Sequence, residues 1–160
     1  MLYPAAKVVL IDPAVPNKLL LIFRAVNGSG GYEAAGGRIE ADFAAATAEN
    51  FEMCAIREIK EEVGVDVELI TYLGSYSFFW NIKANTCSCC VVFLGKIIGG
   101  TINNHNPDLT ELPFECRWVD AADIINDLIP VRNNHSGLKQ LLIKAAKIVK
   151  YTHDKTSAIV

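Results

Sequence analysis

The segment of residues 57–65 constrains the fold of this chain more than any other, because it predicts a helix that carries three carboxylates on one face. Glu58, Glu61 and Glu62 are spaced i, i+3 and i+4, which places their side chains on the same side of a helix. Like charges this close repel each other, so such a face is either solvated or holds a cation. Gly64 predicts the end of the helix, and the apolar segment after it predicts a strand.

A solvated face is the more common origin of adjacent glutamates, and the cluster alone would favour it. Two neighbouring features favour the cation instead. Gly36 and Gly37 predict a turn of paired glycines, which lets the backbone approach a ligand closely. Arg57 precedes Glu61 by four residues and is adjacent to Glu58, so its guanidinium can hold both carboxylates in a fixed orientation.

Together these residues resemble the signature of the Nudix hydrolases, Gly-x5-Glu-x7-Arg-Glu-U-x-Glu-Glu-x-Gly-U, in which U is aliphatic. Glu49 lies eight residues before Arg57, as the pattern requires, and Ile59 and Val65 occupy the two aliphatic positions. One position departs from the pattern, because Phe43 stands six residues before Glu49 where the family has glycine. Gly37 lies 20 positions before Arg57 where the pattern has 14, so we predict a six-residue insertion in the loop that enters the helix.

The predicted insertion falls within residues 40–48, where residues 44–48 are small and mostly apolar. Loops accept such insertions at low entropic cost, so the helix is expected to form as usual. The apolar character predicts that the insertion packs against the protein and shapes the substrate pocket. Thr47 or Asn50 is expected to cap the helix, and the start of the helix decides whether Glu49 reaches the site.

Length and composition predict one compact domain over residues 1–160, because a chain of 160 residues with 51% hydrophobic residues can bury a sizeable core. The formal net charge is -3, so there is no general basic surface for a nucleic-acid polymer. The first apolar stretch, residues 5–11, is too short to cross a bilayer or to serve as a good signal peptide. We therefore expect a soluble, cytoplasmic protein without a membrane partner.

The cysteines and histidines predict no further chemistry. Cys87, Cys89 and Cys90 lack the spacing of a zinc site and lie in a segment typical of a buried strand. Cys54 and Cys116 are expected to be buried, reduced thiols. The three histidines lie in polar loops or near the end of the chain, with no ligand or triad spacing around them.

Strand and helix patterns alternate along the chain without repeats. Strands are predicted at residues 7–11, 19–25, 65–73, 76–80, 86–98 and 114–119, and helices at residues 49–63, 121–128 and 138–149. This order predicts an α/β (α+β) fold with a mixed sheet between helices. It also matches the Nudix-type α/β/α sandwich, so the resemblance covers most of the chain.

The resemblance implies a site for Mg²⁺ or Mn²⁺, which hard oxygen ligands bind while leaving positions for phosphate and water. Glu61 and Glu62 are the first expected metal ligands, and Glu58 is either a third ligand or the base that aligns the water. Arg57 would orient these carboxylates. The backbone at Gly36 and Gly37 would supply a carbonyl ligand or contact the substrate phosphate, although an ordinary tight turn stays an alternative.

Glu111 and Arg24 are candidates for two further roles in the site, as a metal ligand and as a phosphate-binding residue. The family often adds a carboxylate from the loop before the last strand, which implies Glu111 as a metal ligand, with Asp108 and Glu115 as alternatives; a solvated loop glutamate fits equally well. Arg24, at the end of the second strand, is a candidate for binding substrate phosphate. A strand-end cation that faces water is an equal alternative for Arg24.

The resemblance implies a divalent-metal-dependent pyrophosphohydrolase. Its substrate would be a small molecule, a nucleoside diphosphate linked to another moiety, such as a nucleoside triphosphate or a nucleotide sugar. The alternative is a catalytically idle Nudix-fold module that binds a nucleotide or a protein, and the three retained glutamates favour the enzyme. We expect a monomer or a homodimer, and no subfamily marker in the sequence selects one nucleotide.

Overall fold

The fold is a mixed sheet with helices on both of its faces, and the computed structural model describes residues 1–26, 29–42, 44–103 and 114–157. The strands are β1 (Leu2–Ile11), β2 (Lys18–Val26), β3 (Ser29–Glu33), β4 (Ala35–Arg38), β5 (Ala41–Asp42), β6 (Thr47–Ala48), β7 (Val65–Asn81), β8 (Thr86–Gly100) and β9 (Glu115–Asp120). The helices are α1 (Phe51–Glu62), α2 (Ala121–Ile125) and α3 (Leu138–Ser157), with a 3-10 helix at Asn133–His135.

Strand β1 lies at the centre of the sheet. It pairs in parallel with β8 and antiparallel with β2 and β4, while β7 continues the sheet beyond β8. On the other side, β3 and β9 both pair antiparallel with β2. The parallel pairing of β1 with β8 makes the sheet mixed, which confirms the predicted fold class.

The two faces of the sheet bury two separate cores. Successive side chains of a strand point to opposite faces, so Ala5 and Val9 of β1 pack in one core while Ala6, Val8 and Leu10 pack in the other. The first core also contains buried residues of α2 and α3, and the second contains buried residues of α1. This arrangement places α1, with its acidic residues, directly over the centre of the sheet.

Helix α1 begins and ends at the predicted signals. Asn50 is the N-cap, because its side-chain oxygen accepts a hydrogen bond from the backbone N–H of Met53 at 2.7 Å. Gly64 follows the helix with a φ of 85°, a conformation that glycine adopts without steric cost. Cys54 and Ile59 are fully buried against the sheet, and Glu58 and Glu62 lie one turn from them at the border of this buried face.

Three features of the sheet differ from the sequence predictions. The segment around Gly36 and Gly37, predicted as a turn, is strand β4, in which these glycines pair with Lys7 and Ala6. Strand β3 was not predicted, because its glycine-rich sequence lacks the apolar alternation of a typical strand. The strands predicted at residues 65–73 and 76–80 form the single strand β7, which passes through Gly74 with an irregular register.

The predicted insertion forms a small hairpin, in which β5 and β6 pair through Ala41–Ala48 and Asp42–Thr47. The expectation that it packs against the protein is wrong, because its described residues 41, 42 and 44–48 are all exposed. Asp42 explains the turn, since its carboxylate accepts hydrogen bonds from the backbone N–H groups of Ala44 and Ala45. Local hydrogen bonds, and not burial, therefore hold the hairpin together.

The remaining expectations of the sequence are met in part. Cys54 and Cys90 are buried thiols and the other three cysteines are partly buried, with none of them in a disulfide. In the part of the chain that the structure describes, none of the helices combines the length and the apolar character needed to cross a membrane.

Candidate active site

Arg57 organises the acidic face of α1. Its guanidinium donates to both oxygens of Glu49, at 2.7 Å from Nε and 2.9 Å from Nη2. Its Nη1 donates to Glu58 and to Glu61, each at 2.9 Å, and its Nη2 also donates to the carbonyl of Arg38 in β4 at 3.0 Å. These hydrogen bonds, led by those to Glu49, raise the pKa of Arg57. Glu49 therefore fixes the arginine that orients two of the three candidate metal ligands.

Glu58 points from the helix toward Gly37. A Cβ at position 37 would lie 2.4 Å from the carboxylate of Glu58, so only glycine leaves room for this side chain. The Glu58 side chain is 20% exposed. Burial raises the pKa of Glu58, against the lowering effect of the hydrogen bond from Arg57. The carboxylate is thus partly shielded from water and held against the backbone of β4.

Glu62 is the most enclosed of the three glutamates, with a side chain that is 11% exposed. Its carboxylate accepts hydrogen bonds from the backbone N–H of Gly36 at 2.8 Å and from Nη2 of Arg24 at 3.2 Å. Burial raises the pKa of Glu62 to about 7, although these partners and Lys7 favour the ionised form. A divalent cation beside Glu62 would favour the charged carboxylate further.

Glu61 is the most accessible of the three, with a side chain that is 60% exposed. In the described ranges 1–26, 29–42, 44–103 and 114–157, no three His, Cys, Asp or Glu side chains already form a closed metal site. The chemistry of the donors nevertheless fits a hard divalent cation, because carboxylate oxygens on one helix face lie beside a backbone segment without side chains. Glu58, Glu61 and Glu62 are the residues that could hold it.

The sequence left two interpretations of Arg24, a residue that binds substrate phosphate or a strand-end cation that faces water. Arg24 is buried, and its Nε donates to Glu33 at 3.0 Å while Nη2 donates to Glu62. Its guanidinium also lies 5.2 Å from the centre of the Phe114 ring. The interpretation as a strand-end cation facing water is therefore wrong, and contact with substrate phosphate stays a prediction.

The additional carboxylate from the loop before the last strand is not located. Glu111 and Asp108 lie outside the described residues. Glu115 is exposed and forms an ion pair with Arg117 at 2.7 Å. The assignment of Glu111 as a metal ligand stays a prediction.

Three buried charged or titratable residues were not predicted. Lys7 donates from Nζ to the carbonyl of Ala34 at 3.0 Å and to that of Gly36 at 3.4 Å. Glu33 forms ion pairs with Arg24 and Arg132. Nδ1 of His135 forms a hydrogen bond with the hydroxyl of Tyr76 at 2.7 Å. Burial lowers the pKa of His135 to about 4. A lysine inside an apolar strand was the one signal in the sequence that pointed to this cluster.

An open groove of about 440 Å³ lies between the insertion hairpin and the start of α1. Its lining includes the carboxylates of Glu40, Asp42 and Glu49 and the side chain of Met53. The hairpin is joined to the site at its base, where Glu49 N–H donates to the carbonyl of Glu40 and Glu40 N–H donates to the carboxylate of Glu49, both at 3.0 Å. The groove is thus next to the arginine that orients Glu58 and Glu61.

Comparisons with known proteins agree with this geometry. The family model described as the NUDIX domain matches residues 1–142. The chain is 34% identical, over 115 residues, to the NAD-capped RNA hydrolase NudC of Vibrio atlanticus (strain LGP32). That alignment covers 72% of this chain and only 37% of the relative's length.

Solved structures show the same fold. The MutT protein from Methanosarcina mazei Go1 has a TM-score of 0.63 at 16% identity, over 91% of this chain and 94% of that one. A NUDIX hydrolase from Nitrosomonas europaea has a TM-score of 0.62 at 17% identity, over 92% of this chain and 91% of that one. The match to the family model over most of the chain confirms the family predicted from the sequence. This chain belongs to the Nudix hydrolase family.

Proposed function

We propose that the protein is a divalent-metal-dependent pyrophosphohydrolase that cleaves a nucleoside diphosphate linked to another moiety. The observation that carries this proposal is the arrangement of Glu58, Glu61 and Glu62 on one face of α1, with Arg57 bonded to two of them. A diphosphate needs its charge neutralised before water can attack phosphorus, and bound Mg²⁺ or Mn²⁺ supplies that neutralisation.

Each residue of the site then has a distinct task. Glu61 and Glu62 would hold the cation, with Glu58 and Glu111 as further ligands. The raised pKa of Glu58 suits a base that accepts the proton of the attacking water. Arg57 keeps Glu58 and Glu61 oriented through its own bonds to Glu49. Gly36 and Gly37 leave the backbone of β4 open to a phosphate group.

The relative named as an NAD-capped RNA hydrolase supports a particular first choice of substrates. NAD contains a diphosphate between two nucleosides, so it belongs to the class that we propose. The alignment covers 37% of that relative's length, so its substrate is a candidate to test here and not an assignment. The test therefore includes NAD and NAD-capped RNA beside nucleoside triphosphates and nucleotide sugars. We also propose a single domain over residues 1–160, a cytoplasmic location and a monomeric or homodimeric state.

The test is a substrate panel with Mg²⁺ or Mn²⁺, scored as phosphate released after coupling to a phosphatase. We expect turnover of at least one diphosphate, its loss on addition of a chelator, and its recovery when Mg²⁺ is added in excess. Full activity in excess chelator would contradict the metal requirement. Nucleotide binding without turnover under any condition would favour the idle binding module instead.

A further inference from the structure

A buried carboxylate under α1 joins the candidate active site to the opposite side of the sheet. Glu33, at the end of β3, is 3% exposed, and its two oxygens face different partners. Oε1 accepts a hydrogen bond from Nε of Arg24 at 3.0 Å and lies 3.9 Å from Nζ of Lys7. Oε2 accepts from Nη1 of Arg132 and lies 3.5 Å from Nε2 of His135.

Arg24 divides its guanidinium between two carboxylates. Its Nε donates to Glu33, while its Nη2 donates at 3.2 Å to Glu62, one of the candidate metal ligands. Burial on its own would raise the pKa of Glu33, but the surrounding cations, led by Lys7 and Arg24, lower it to about 2. The ionised form of Glu33 is therefore favoured, and its negative charge offsets part of the positive charge of Arg24.

Lys7 fixes the backbone on the other side of Glu62. Its ammonium donates to the carbonyls of Ala34 and Gly36, and the N–H of Gly36 donates to the second oxygen of Glu62. Glu62 is thus held between strand β4, which Lys7 fixes, and the guanidinium of Arg24, which Glu33 fixes. Removing the charge of Glu33 would take one carboxylate away from the buried Lys7 and Arg24 and from the partly buried Arg132.

We propose that Glu33 is a positioning residue that keeps Glu62 available to the divalent cation, an inference that rests on the proposed function. The reason is competition. While Glu33 binds Nε of Arg24, the arginine contacts Glu62 through Nη2. Without that anchor the guanidinium turns its charge toward Glu62 and competes with the metal for the same carboxylate.

The test measures Mn²⁺ binding without substrate, from the electron paramagnetic resonance signal of free Mn²⁺, in the wild type and in Glu33→Gln. We expect Mn²⁺ to bind about tenfold more weakly to the variant, the low end of the effect of residues that support metal ligands. The matched control is Arg132→Gln, which removes an ion pair at the other oxygen of Glu33 and leaves the Arg24 side in place. Its Mn²⁺ affinity should equal that of the wild type.

Circular dichroism and thermal unfolding show whether each variant is folded at the temperature of the binding measurement. If Glu33→Gln does not fold, Glu33→Asp takes its place, because the shorter side chain keeps the charge but draws its carboxylate away from Nε of Arg24; the same weakening is expected. Wild-type affinity in the folded variant overturns the proposal. Equal weakening in Arg132→Gln also overturns it, since the network would then act only through general stability. A wild type that binds Mn²⁺ but hydrolyses no substrate overturns the proposed function alone.

Discussion

Arg57 shows how one side chain decides which carboxylates of α1 can serve a cation. Its Nη1 is shared by Glu58 and Glu61, whereas Glu62 is bonded to a different arginine and to the backbone of β4. A divalent cation at the proposed site would therefore meet two glutamates that share one donor and a third that is held separately. The three glutamates are equivalent in the signature but differ in their surroundings.

Replacing Glu61 or Glu62 by glutamine removes a ligand charge while keeping the shape of the side chain. We expect kcat to fall by about 100-fold or more in Glu61→Gln and in Glu62→Gln, because the lost charge stabilises the reacting phosphate. Glu52→Gln is the matched control, since Glu52 is exposed in the first turn of the same helix. Near wild-type rates in both active-site variants would show that the acidic face is only solvated surface.

Replacing the two adjacent glycines of β4 by alanine should have different effects, a loss of stability at Gly36 and a loss of activity at Gly37. At Gly36 the φ is 135° and a Cβ would lie 2.1 Å from the backbone carbonyl of Ala6, so Gly36→Ala should lower the free energy of unfolding by about 2 kcal/mol or more. At Gly37 a Cβ would meet only the flexible end of Glu58.

Gly37→Ala should therefore fold normally while it displaces Glu58, and kcat should fall by about 100-fold, the typical cost of a misplaced catalytic group. Urea unfolding and steady-state kinetics of the two variants measure the contrast. An active Gly37→Ala variant would show that the position of Glu58 against β4 does not matter for the reaction.

At the scale of elements, the sequence predicted what local patterns determine. Helix α1 and its end at Gly64 follow from caps and apolar spacing, and α1 carries the glutamates as predicted. Strands β3 and β4 were missed because their glycines give no alternation of apolar and polar side chains. These segments are strands because they pair with β2 and β1, and such long-range pairing cannot be read from a local sequence pattern. The burial of Glu33 was missed for the same reason, since its partners Lys7, Arg24, Arg132 and His135 come from three other segments.

The insertion hairpin can be deleted with little change to the flanking backbone, because its two ends are adjacent. Ala41 and Ala48 are paired across the hairpin, so deleting residues 42–47 lets them join directly and restores the usual spacing of six positions between Gly37 and Glu49. Because the described hairpin residues are exposed, we expect the shortened protein to keep its thermal stability and its Mg²⁺ binding.

The same deletion removes Asp42 and Thr47 from the lining of the groove beside Glu49, so it should change which nucleotides are accepted. Calorimetry with Mg²⁺ and the substrate panel measure the two outcomes. Loss of Mg²⁺ binding in a folded protein would show that Asp42 belongs to the metal site, or that the hairpin positions Glu40 within it. An unchanged substrate profile would identify the hairpin as a neutral surface loop.

Across the whole molecule, the buried charges connect the two cores and make stability depend on pH. His135 Nδ1 lies 2.7 Å from the hydroxyl of Tyr76 and Nε2 lies 3.5 Å from Glu33, so a neutral ring with its hydrogen on Nε2 would accept from Tyr76 and point its N–H toward Glu33. Its pKa falls from 6.5 to about 4, so the folded state binds fewer protons than the unfolded state between these values, and acid destabilises the fold. Glu62 acts oppositely, because its pKa rises from 4.5 to about 7 and acid favours its folded form in that range.

The two effects partly cancel in the wild type, so the contribution of His135 is measured by comparison with His135→Asn, which keeps an acceptor for Tyr76 but does not titrate. Between pH 7 and pH 5 the wild type should lose about 2 kcal/mol more of its unfolding free energy than the variant loses. Urea unfolding at both pH values, without added metal, gives the difference. Equal losses in the two proteins would show that His135 has the same pKa in the folded and unfolded states. A smaller loss in the wild type than in the variant would show a ring that is protonated in the folded state and forms an ion pair with Glu33.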